Sequence, residues 1–140
     1  MTDVFSSEKR SWIMSKVRGQ DTTPEIKVRS MTHRLGYRFR LHRKDLPGNP
    51  DLVFPSLKKI IFVHGCFWHG HNCSRGGRIP KANTDYWRNK LRKNIERDRR
   101  SQEALRFLGW EILIIWECDL KNPNKVMSSV NRYLSADAAG

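Results

Sequence analysis

The sequence predicts an α/β domain with a mixed β-sheet. The spacing of apolar residues indicates a helix, three strands, a long helix, a strand and a last helix, in that order. The long helix lies between two predicted strands, and a crossover of this kind is what a parallel strand pair requires. With 140 residues, 38% of them hydrophobic, the chain can bury one substantial core.

The first two elements are a helix over residues 24–35 and a strand over residues 37–41. The helix follows threonines that can cap it and begins with a proline and an acidic residue. Ile26, Met31 and Leu35 can share its buried face. In the strand, apolar and basic residues alternate, so its arginines should face outward.

Residues 51–54 and 58–63 are predicted to form a β-hairpin, because turn-forming residues precede and separate them. A turn midway between the two segments pairs residues whose numbers sum to about 113 or 114. Asp51 is therefore expected opposite Phe62 or Val63, with its carboxylate beside the end of the second strand.

The long helix is predicted to run from Asn83 or Thr84 to Gly109, and a buried strand follows over residues 110–116. Asp98 falls on the apolar stripe of this helix, so its carboxylate should face inward. The stripe comprises Trp87, Leu91, Ile95, Leu105 and Leu108, and the last helix, opened by Asn122 and Pro123, would bury Val126, Val130 and Leu134.

Positive charge is concentrated in residues 1–100, which hold 23 Lys and Arg against 9 Asp and Glu, whereas residues 101–140 hold 4 against 5. A basic surface without a specific partner is one interpretation. We favour a polyanion partner, DNA or RNA, because no basic segment has a free apolar face to lie on lipid. No stretch is long and apolar enough to span a membrane, so we expect a cytoplasmic protein. We expect a loosely ordered segment over residues 1–20, able to contact DNA, and a single domain over residues 21–140.

The loop after the second hairpin strand holds three His, two Cys and two aromatic residues. Thiolates of Cys66 and Cys73, one imidazole and the distant Cys118 can complete a tetrahedral Zn²⁺ site, since Cys118 follows the next strand of the sheet. His71 is the expected imidazole ligand, with His69 as the alternative. Three buried free thiols are the competing interpretation.

Acidic residues form a second candidate site in this basic chain. They are Glu25, Asp51 and Asp98. Each alone is more often a helix cap or a surface charge, but hydrolysis of a phosphodiester by water needs a divalent cation, and Mg²⁺ binds hard oxygens. The Asp51 carboxylate and the Val63 backbone carbonyl can seat Mg²⁺, with His64 and His69 close enough to move protons.

Several motifs that are separated along the chain occur in the order and near the spacing that one protein family shows. They are Glu25, Pro50-Asp51, Ile60 to Val63, His64-Gly65-Cys66-Phe67-Trp68-His69 with His71 and Cys73, Asn94 to Arg100, Leu108-Gly109-Trp110 and Trp116-Glu117-Cys118. Over about residues 8–121, the chain resembles the Vsr family of very-short-patch-repair DNA mismatch endonucleases. The resemblance implies a restriction-endonuclease-like core that nicks one DNA strand 5′ of the T in a T·G mismatch, with Mg²⁺.

By this resemblance, Asp51 is the metal-binding aspartate, His64 and His69 are the catalytic histidines, and Glu25 and Asp98 are accessory acids. The resemblance also implies a structural Zn²⁺, held by Cys66, His71, Cys73 and Cys118. Restriction-like folds usually carry an acid, any residue and Lys across the hairpin from the Pro-Asp motif. This chain has Phe62, Val63 and His64 there, a departure that the family shares.

The resemblance further implies that Phe67, Trp68 and Trp87 insert into the duplex as an aromatic wedge, at the least cost where a mismatch is already poorly stacked. Burial in the core is the alternative for these residues. Basic residues along the long helix would contact phosphates, with a merely solvated face as the alternative. They are Lys90, Arg92, Lys93, Arg97, Arg99 and Arg100.

Two other functions fit the same sequence. One is a restriction-type endonuclease that cuts unmismatched sites with the same active site. The other is a non-catalytic, zinc-stabilised DNA-binding module, which would leave the acidic residues unexplained. We expect a monomer, able to cooperate with other mismatch-repair proteins.

Overall fold

The computed structural model describes residues 22–41, 43–71, 73 and 81–136, so the segment predicted over residues 1–20 lies outside the described part. The elements follow the predicted order and confirm the mixed α/β class. They are helix α1 (Thr23–Arg34), strands β1 (Arg40–Leu41), β2 (Leu52–Phe54) and β3 (Lys59–His64), helix α2 (Thr84–Phe107), strand β4 (Glu111–Trp116), a 3-10 helix (Glu117–Lys121) and helix α3 (Pro123–Ser135).

The four strands form one sheet in the order β1-β2-β3-β4. The two pairs on the β1 side are antiparallel, and β3 and β4 are parallel, as the intervening long helix predicts. In the hairpin, Leu52 pairs with Ile61. Extending that register by one residue places Asp51 opposite Phe62, which confirms the predicted pairing.

The sheet carries a hydrophobic core on each face, because successive side chains of a strand point to opposite sides. One core packs residues such as Leu52 and Ile61 against helices α1 and α3. The other packs Val53, Ile60 and Phe62 against helix α2. The central strands are therefore buried on both sides.

Helix α3 buries Val126, Val130 and Leu134, as predicted. The predicted faces of the other helices are partly wrong: Ile26 is 49% exposed, Ile95 is 46% exposed and Leu108 is 50% exposed. Helix α1 instead buries a mixed face, which is made up of Glu25, Val28, Met31 and Thr32. Both helices turn polar residues inward where they border a cleft, and this displaces the apolar stripe from the core.

Strand β1 is shorter than predicted, with two residues in place of five. Its Leu41 is 39% exposed, because β1 lies at the edge of the sheet. Within the described part of the chain, none of the helices has the combination of length and apolar character needed to cross a membrane.

Candidate active site and adjoining metal centre

A cleft of about 1160 Å³ opens at the edge of the sheet where β3 and β4 end. His64 and Trp116, the last residues of these strands, pair in the parallel register and reach the same edge. Helix α1 contributes its first turn to the cleft, helix α2 contributes one face, and Glu117 follows from β4. The topology therefore brings acidic, histidine and basic side chains from separate segments to one opening.

Two predicted acidic residues lie together in this cleft. The Val63 N–H donates a hydrogen bond to Asp51 Oδ2 at 2.6 Å. The sequence pattern predicts that Asp51 acts with the Val63 carbonyl, whereas this contact is made by the Val63 amide. Glu25 is buried, is a hydrogen-bonding neighbour of Asp51 and forms an ion pair with Arg29.

The electrostatics of this acidic pair suit a divalent cation. Burial raises the pKa of Asp51 to about 8, the Val63 hydrogen bond opposes the shift, and the neighbouring Glu25 carboxylate adds to it. A second negative charge beside a buried carboxylate is unfavourable unless a cation offsets it. Two adjacent carboxylates are hard oxygen donors, so the pair fits Mg²⁺.

His64, His69 and Asp98 form what we call the histidine–acid cluster. The imidazole rings of His64 and His69 stack with their centroids 3.7 Å apart and their planes 5° from parallel. Asp98 Oδ2 lies 2.5 Å from His69 Nδ1 and so orients that ring. Burial, followed by the effect of neighbouring His69, lowers the pKa of His64 to about 3, so His64 is neutral at pH 7. The cluster can therefore exchange a proton at His69 Nε2 while His64 stays uncharged.

Cys66, His71, Cys73 and Cys118 form the thiol cluster, in which one ligand-type atom of each residue lies within 4.8 Å of the others. Cys118 Sγ lies 3.6 Å from His71 Nδ1. A tetrahedral Zn²⁺ with its usual bond lengths would separate sulfur and nitrogen ligands by about 3.6 Å. The structure thus brings His71 to the cysteines and places His69, the alternative ligand, in the histidine–acid cluster.

The surroundings of the thiol cluster also fit a zinc ion. Cys66 is fully buried, and burial raises the pKa of its thiol to about 12. A cation among the sulfurs would instead favour the thiolate. The His71 ring stacks on Trp116 at 4.0 Å, and the backbone N–H of His71 donates to the Cys66 carbonyl at 2.9 Å. The donors are therefore held in place by contacts that do not depend on a metal.

Phe67, Trp68 and Trp87 form an aromatic triad beside the cleft. Their ring centroids are 5.1, 5.6 and 5.9 Å apart in edge-to-face contacts. All three side chains are partly exposed and belong to neither hydrophobic core. The triad is thus a surface feature, joined to the exposed ring of Tyr86.

The basic residues of helix α2 that are predicted to contact phosphates do not share one environment. Lys90 and Arg97 line the cleft. Arg99 and Arg100 do not line it, and Arg97, Arg99 and Arg100 each form an ion pair with an acidic residue of their own helix. The remaining two are exposed, and they are Arg92 and Lys93.

The cleft contains further polar residues to which the sequence patterns assign no role, among them Lys44, Asn94 and Glu117. Asn94 is 8% exposed, and its Nδ2 donates to the Trp68 carbonyl at 3.0 Å. Helical spacing could have identified Asn94, because it lies one turn before Asp98 on the same face. Glu117 could have been identified because it directly follows the predicted strand that ends at Trp116, whereas Lys44 has no comparable signal.

Comparison with known proteins agrees with this chemistry. Residues 2–75 match the family model described as DNA mismatch endonuclease Vsr. The type II nicking enzyme V.XorIIP of Xanthomonas oryzae pv. oryzae is 53% identical over 122 residues, which cover 87% of this chain and 89% of the relative. The type II nicking enzyme V.NmeAIP of Neisseria meningitidis serogroup A is 42% identical over 134 residues, with coverage of 96% and 95%.

A third relative carries the family's own name. The DNA mismatch endonuclease Vsr of Escherichia coli K12 is 40% identical over 126 residues, which cover 90% of this chain and 80% of the relative. The family model spans more than half of the chain, and these relatives extend the similarity through helix α2 and strand β4. The chain therefore belongs to the Vsr family and is a DNA endonuclease.

Proposed function

We propose that the protein nicks one strand of duplex DNA by Mg²⁺-dependent hydrolysis of a phosphodiester. The observation that carries this proposal is the cleft that holds the acidic pair Glu25 and Asp51 together with the stacked His64 and His69. The two relatives of 53% and 42% identity are both named as nicking enzymes, which supports cleavage of a single strand. We further propose that the catalytic domain has a restriction-endonuclease-like fold.

In this proposal, Asp51 and Glu25 hold the cation through their carboxylates, and the Val63 carbonyl is a further ligand. Bound Mg²⁺ would supply charge stabilisation for the phosphate oxygens and lower the pKa of an attacking water. Arg29 keeps Glu25 in place through its ion pair. The Val63 amide restrains Asp51 at the end of β3.

His69 is the proposed proton-transfer residue. Asp98 accepts from His69 Nδ1, so the Nε2 atom of the ring is the one available to take a proton from water, and the carboxylate stabilises the imidazolium that forms. His64 stays neutral because it is buried, and its stacked ring restricts the rotation of His69. Both histidines would thus be catalytic, with the charge change confined to His69.

The thiol cluster is proposed to hold one structural Zn²⁺. All four residues supply N or S donors, and a closed tetrahedral site of this kind stabilises a fold without taking part in the reaction. The cluster ties the loop after β3 to the segment after β4 through Cys118. Zinc here would fix the loop that carries His69.

Duplex DNA is proposed to lie across the cleft with its phosphates on the basic face of helix α2. Lys90 and Arg97 are the best-placed cations because they line the cleft, whereas Arg99 and Arg100 do not. The other two candidates are Arg92 and Lys93. The aromatic triad stands beside this surface, where it can insert at a base step.

The candidate DNA substrates differ in whether they carry a mismatched base pair. The nicking-enzyme relatives are more similar to this chain than the mismatch endonuclease is, so strand nicking has broader support than T·G specificity. Nicking 5′ of the T in a T·G mismatch, as a step of very short patch repair, is favoured by the exposed aromatic triad. A restriction-type reaction at unmismatched sites is the second candidate, and it uses the same acidic pair.

One assay separates these substrates. Purified protein is incubated with Mg²⁺ and end-labelled duplexes that are either matched or carry one T·G pair, and the cut strand and position are scored. Nicking of the T strand only at the mismatch supports the repair function. Nicking of both duplexes supports a site-specific nicking enzyme, and cutting of both strands supports a restriction-type enzyme. Binding without cleavage would overturn the catalytic proposal.

Asp51→Ala tests the acidic pair in the same assay. The variant should lose nicking and keep DNA binding, because it removes a cation ligand and leaves the basic face intact. Asp45→Ala is the matched control, since its exposed carboxylate pairs with Arg43 and does not line the cleft. Undiminished cleavage by Asp51→Ala would contradict this site.

A further inference from the structure

Two consecutive residues of the loop after β3 make polar contacts to one turn of helix α2. The Asn94 side chain donates from Nδ2 to the Trp68 carbonyl at 3.0 Å. One turn later, Asp98 contacts His69. Asn94 is 8% exposed, so its amide is largely removed from water at a contact that joins two separate parts of the chain. A buried amide in such a place is costly unless it is satisfied, and its bond therefore fixes the loop in one position.

The next loop residue, Gly70, packs directly on the same helix. A methyl group at this position would lie 2.5 Å from Ile95 Cδ1 and 3.0 Å from its Cγ1. Gly70 also has φ +62, a conformation that disfavours other residues. This contact accounts for the partial burial of Ile95, which the apolar stripe alone assigns to the core. Residues 68–70 are thus each held by helix α2 at Asn94, Ile95 or Asp98.

The loop is also held at its other side by the thiol cluster. Cys66 and His71 flank residues 67–70, and the His71 N–H donates to the Cys66 carbonyl at 2.9 Å. The Gly70 N–H donates to the Phe67 carbonyl at 3.2 Å, which closes a turn within the loop. These two hydrogen bonds close the segment on itself at both ends. Its position relative to helix α2 is then set by the contacts at residues 68–70.

We propose that Asn94 is a positioning residue which, through the Trp68 carbonyl, fixes Phe67, Trp68 and His69 in one register against helix α2, the helix that carries Trp87, the third ring of the triad. This inference rests on the proposed function, because it assigns the triad to DNA distortion and His69 to proton transfer. It adds that one contact, between Asn94 and the Trp68 carbonyl, positions the groups for both DNA distortion and proton transfer. Helix α2 also carries Lys90 and Arg97, so the surface that would bind phosphates directly supports the loop that would act on the base step and the scissile bond.

Asn94 in this role differs from a residue that merely stabilises the fold. Loss of its donor leaves the acidic pair, the basic face and the zinc ligands in place, but leaves the Trp68 carbonyl without its partner. Displacement of reacting groups by about 1 Å can slow a reaction by 10²-fold. The expected defect is therefore in the rate of the chemical step and in base-step distortion, with affinity for duplex DNA kept.

The experiment compares Asn94→Ala with Asn131→Ala, which removes an exposed asparagine from helix α3. Melting temperature and zinc content establish that both variants are folded. Single-turnover nicking with saturating protein measures the chemical step, and 2-aminopurine fluorescence at the target step measures unstacking. For Asn94→Ala, we expect nicking slowed by about tenfold or more and a reduced fluorescence change, with the dissociation constant within about twofold of wild type. Asn131→Ala should match wild type in all measurements.

Gly70→Ala tests the same interface between the loop and helix α2 through a different contact, the packing of Gly70 on Ile95. It should slow nicking in the same way, and Ile95→Ala in the same chain should restore part of the rate because it makes room for the added methyl group. A wild-type rate and fluorescence change in Asn94→Ala would overturn the inference, as would a defect in affinity alone. Absence of nicking by the wild-type protein on every duplex would instead overturn the proposed function, so the two failures are distinguishable.

Discussion

The thiol cluster and the histidine–acid cluster share the loop between β3 and helix α2, and each holds its ligand-type atoms within 4.8 Å of one another. Their chemistry differs nonetheless. The thiol cluster offers four N or S donors, enough to close a tetrahedron around Zn²⁺. In the histidine–acid cluster, the rings of His64 and His69 are stacked and nearly parallel. Ring nitrogens coordinate within the ring plane, so two stacked imidazoles cannot direct their lone pairs at one ion.

Proximity of ligand atoms therefore does not define a metal site; the direction and softness of the donors do. This difference also divides the work between the clusters. The thiol cluster should contribute stability and no chemistry. The histidine–acid cluster, with the nearby acidic pair, should contribute chemistry and no stability.

Removal of the proposed zinc site should change the protein more than any other substitution. Binding of structural zinc can contribute on the order of 10 kcal/mol, which is comparable with the stability of a whole domain. Cys118→Ser should therefore yield protein that is insoluble or melts far below wild type, and elemental analysis should find no bound zinc. As a control, a chelator should lower the melting temperature of the wild type and leave that of the variant unchanged. Full zinc content and an unchanged melting temperature in Cys118→Ser would contradict the stabilising role proposed for the thiol cluster.

His69→Gln tests the other half of the comparison. It should slow nicking by about 10²- to 10⁴-fold, the usual contribution of a positioned proton-transfer group. Melting temperature and zinc content should stay those of the wild type, since His69 lies outside the thiol cluster. His33→Gln is the matched control, because His33 is exposed on helix α1 and contacts Arg38. A rate close to wild type in His69→Gln would move proton transfer to another residue.

The acidic pair should reduce the stability of the protein when Mg²⁺ is not supplied. The raised pKa of Asp51, about 8, exceeds the value of roughly 3.9 expected in the unfolded chain. The folded state then binds the proton more tightly, so the free energy of unfolding falls as pH rises from about 4 to about 8. Asp51→Asn abolishes this loss and should melt above wild type by several degrees at pH 8, and by less at pH 5.

Thermal melting at the two pH values, without added Mg²⁺, checks this sign. Asp45→Asn is the control, because the exposed Asp45 carboxylate pairs with Arg43 and the variant should gain nothing at pH 8. Added Mg²⁺ should raise the melting temperature of the wild type and leave Asp51→Asn unaffected. A variant that melts below wild type at pH 8 would show that the Asp51 carboxylate stabilises the fold.

Sequence patterns predict the sheet better than the helix faces, for a physical reason. The hairpin register follows from turn position and strand period, which place Asp51 opposite Phe62 or Val63, and the structure has Phe62. Helix α2 is different, because one side lines a cleft and packs polar residues inward. Its apolar spacing therefore assigns Ile95 to the core, although this side chain covers Gly70 at the surface.

The candidate site is predictable in composition and less so in arrangement. Three cysteines and a nearby histidine are enough to suggest zinc, but spacing alone leaves His69 and His71 as alternatives. The choice depends on how the loop turns after Cys66, which is set by backbone hydrogen bonds within residues 65–71. The role assigned to Asn94 is not predictable from sequence, because it depends on a contact to the Trp68 carbonyl across 26 residues of the chain.

Phe67 and Trp68 lie between Cys66 and His69 in the loop, and their removal should have the smallest effect on stability. The rings of Phe67 and Trp68 pack on Trp87 at the surface and lie outside both cores. The double variant Phe67→Ala with Trp68→Ala should therefore keep a melting temperature near that of wild type. Removal of two core aromatics would instead cost about 3–5 kcal/mol each and unfold much of the protein.

The double variant should lose its preference for mismatched over matched DNA. Its salt-dependent affinity for matched duplex should persist, because that affinity comes from Lys and Arg. Stacking of an aromatic side chain on a base is worth about 1–3 kcal/mol, so the preference for T·G over matched duplex should fall by roughly tenfold or more. Phe107→Ala is the control, since Phe107 is 92% exposed at the end of helix α2. Competition binding and thermal melting of the double variant test this prediction. A stable variant with an unaltered preference for T·G would exclude insertion of these rings into DNA. An unfolded variant would show that the rings stabilise the fold.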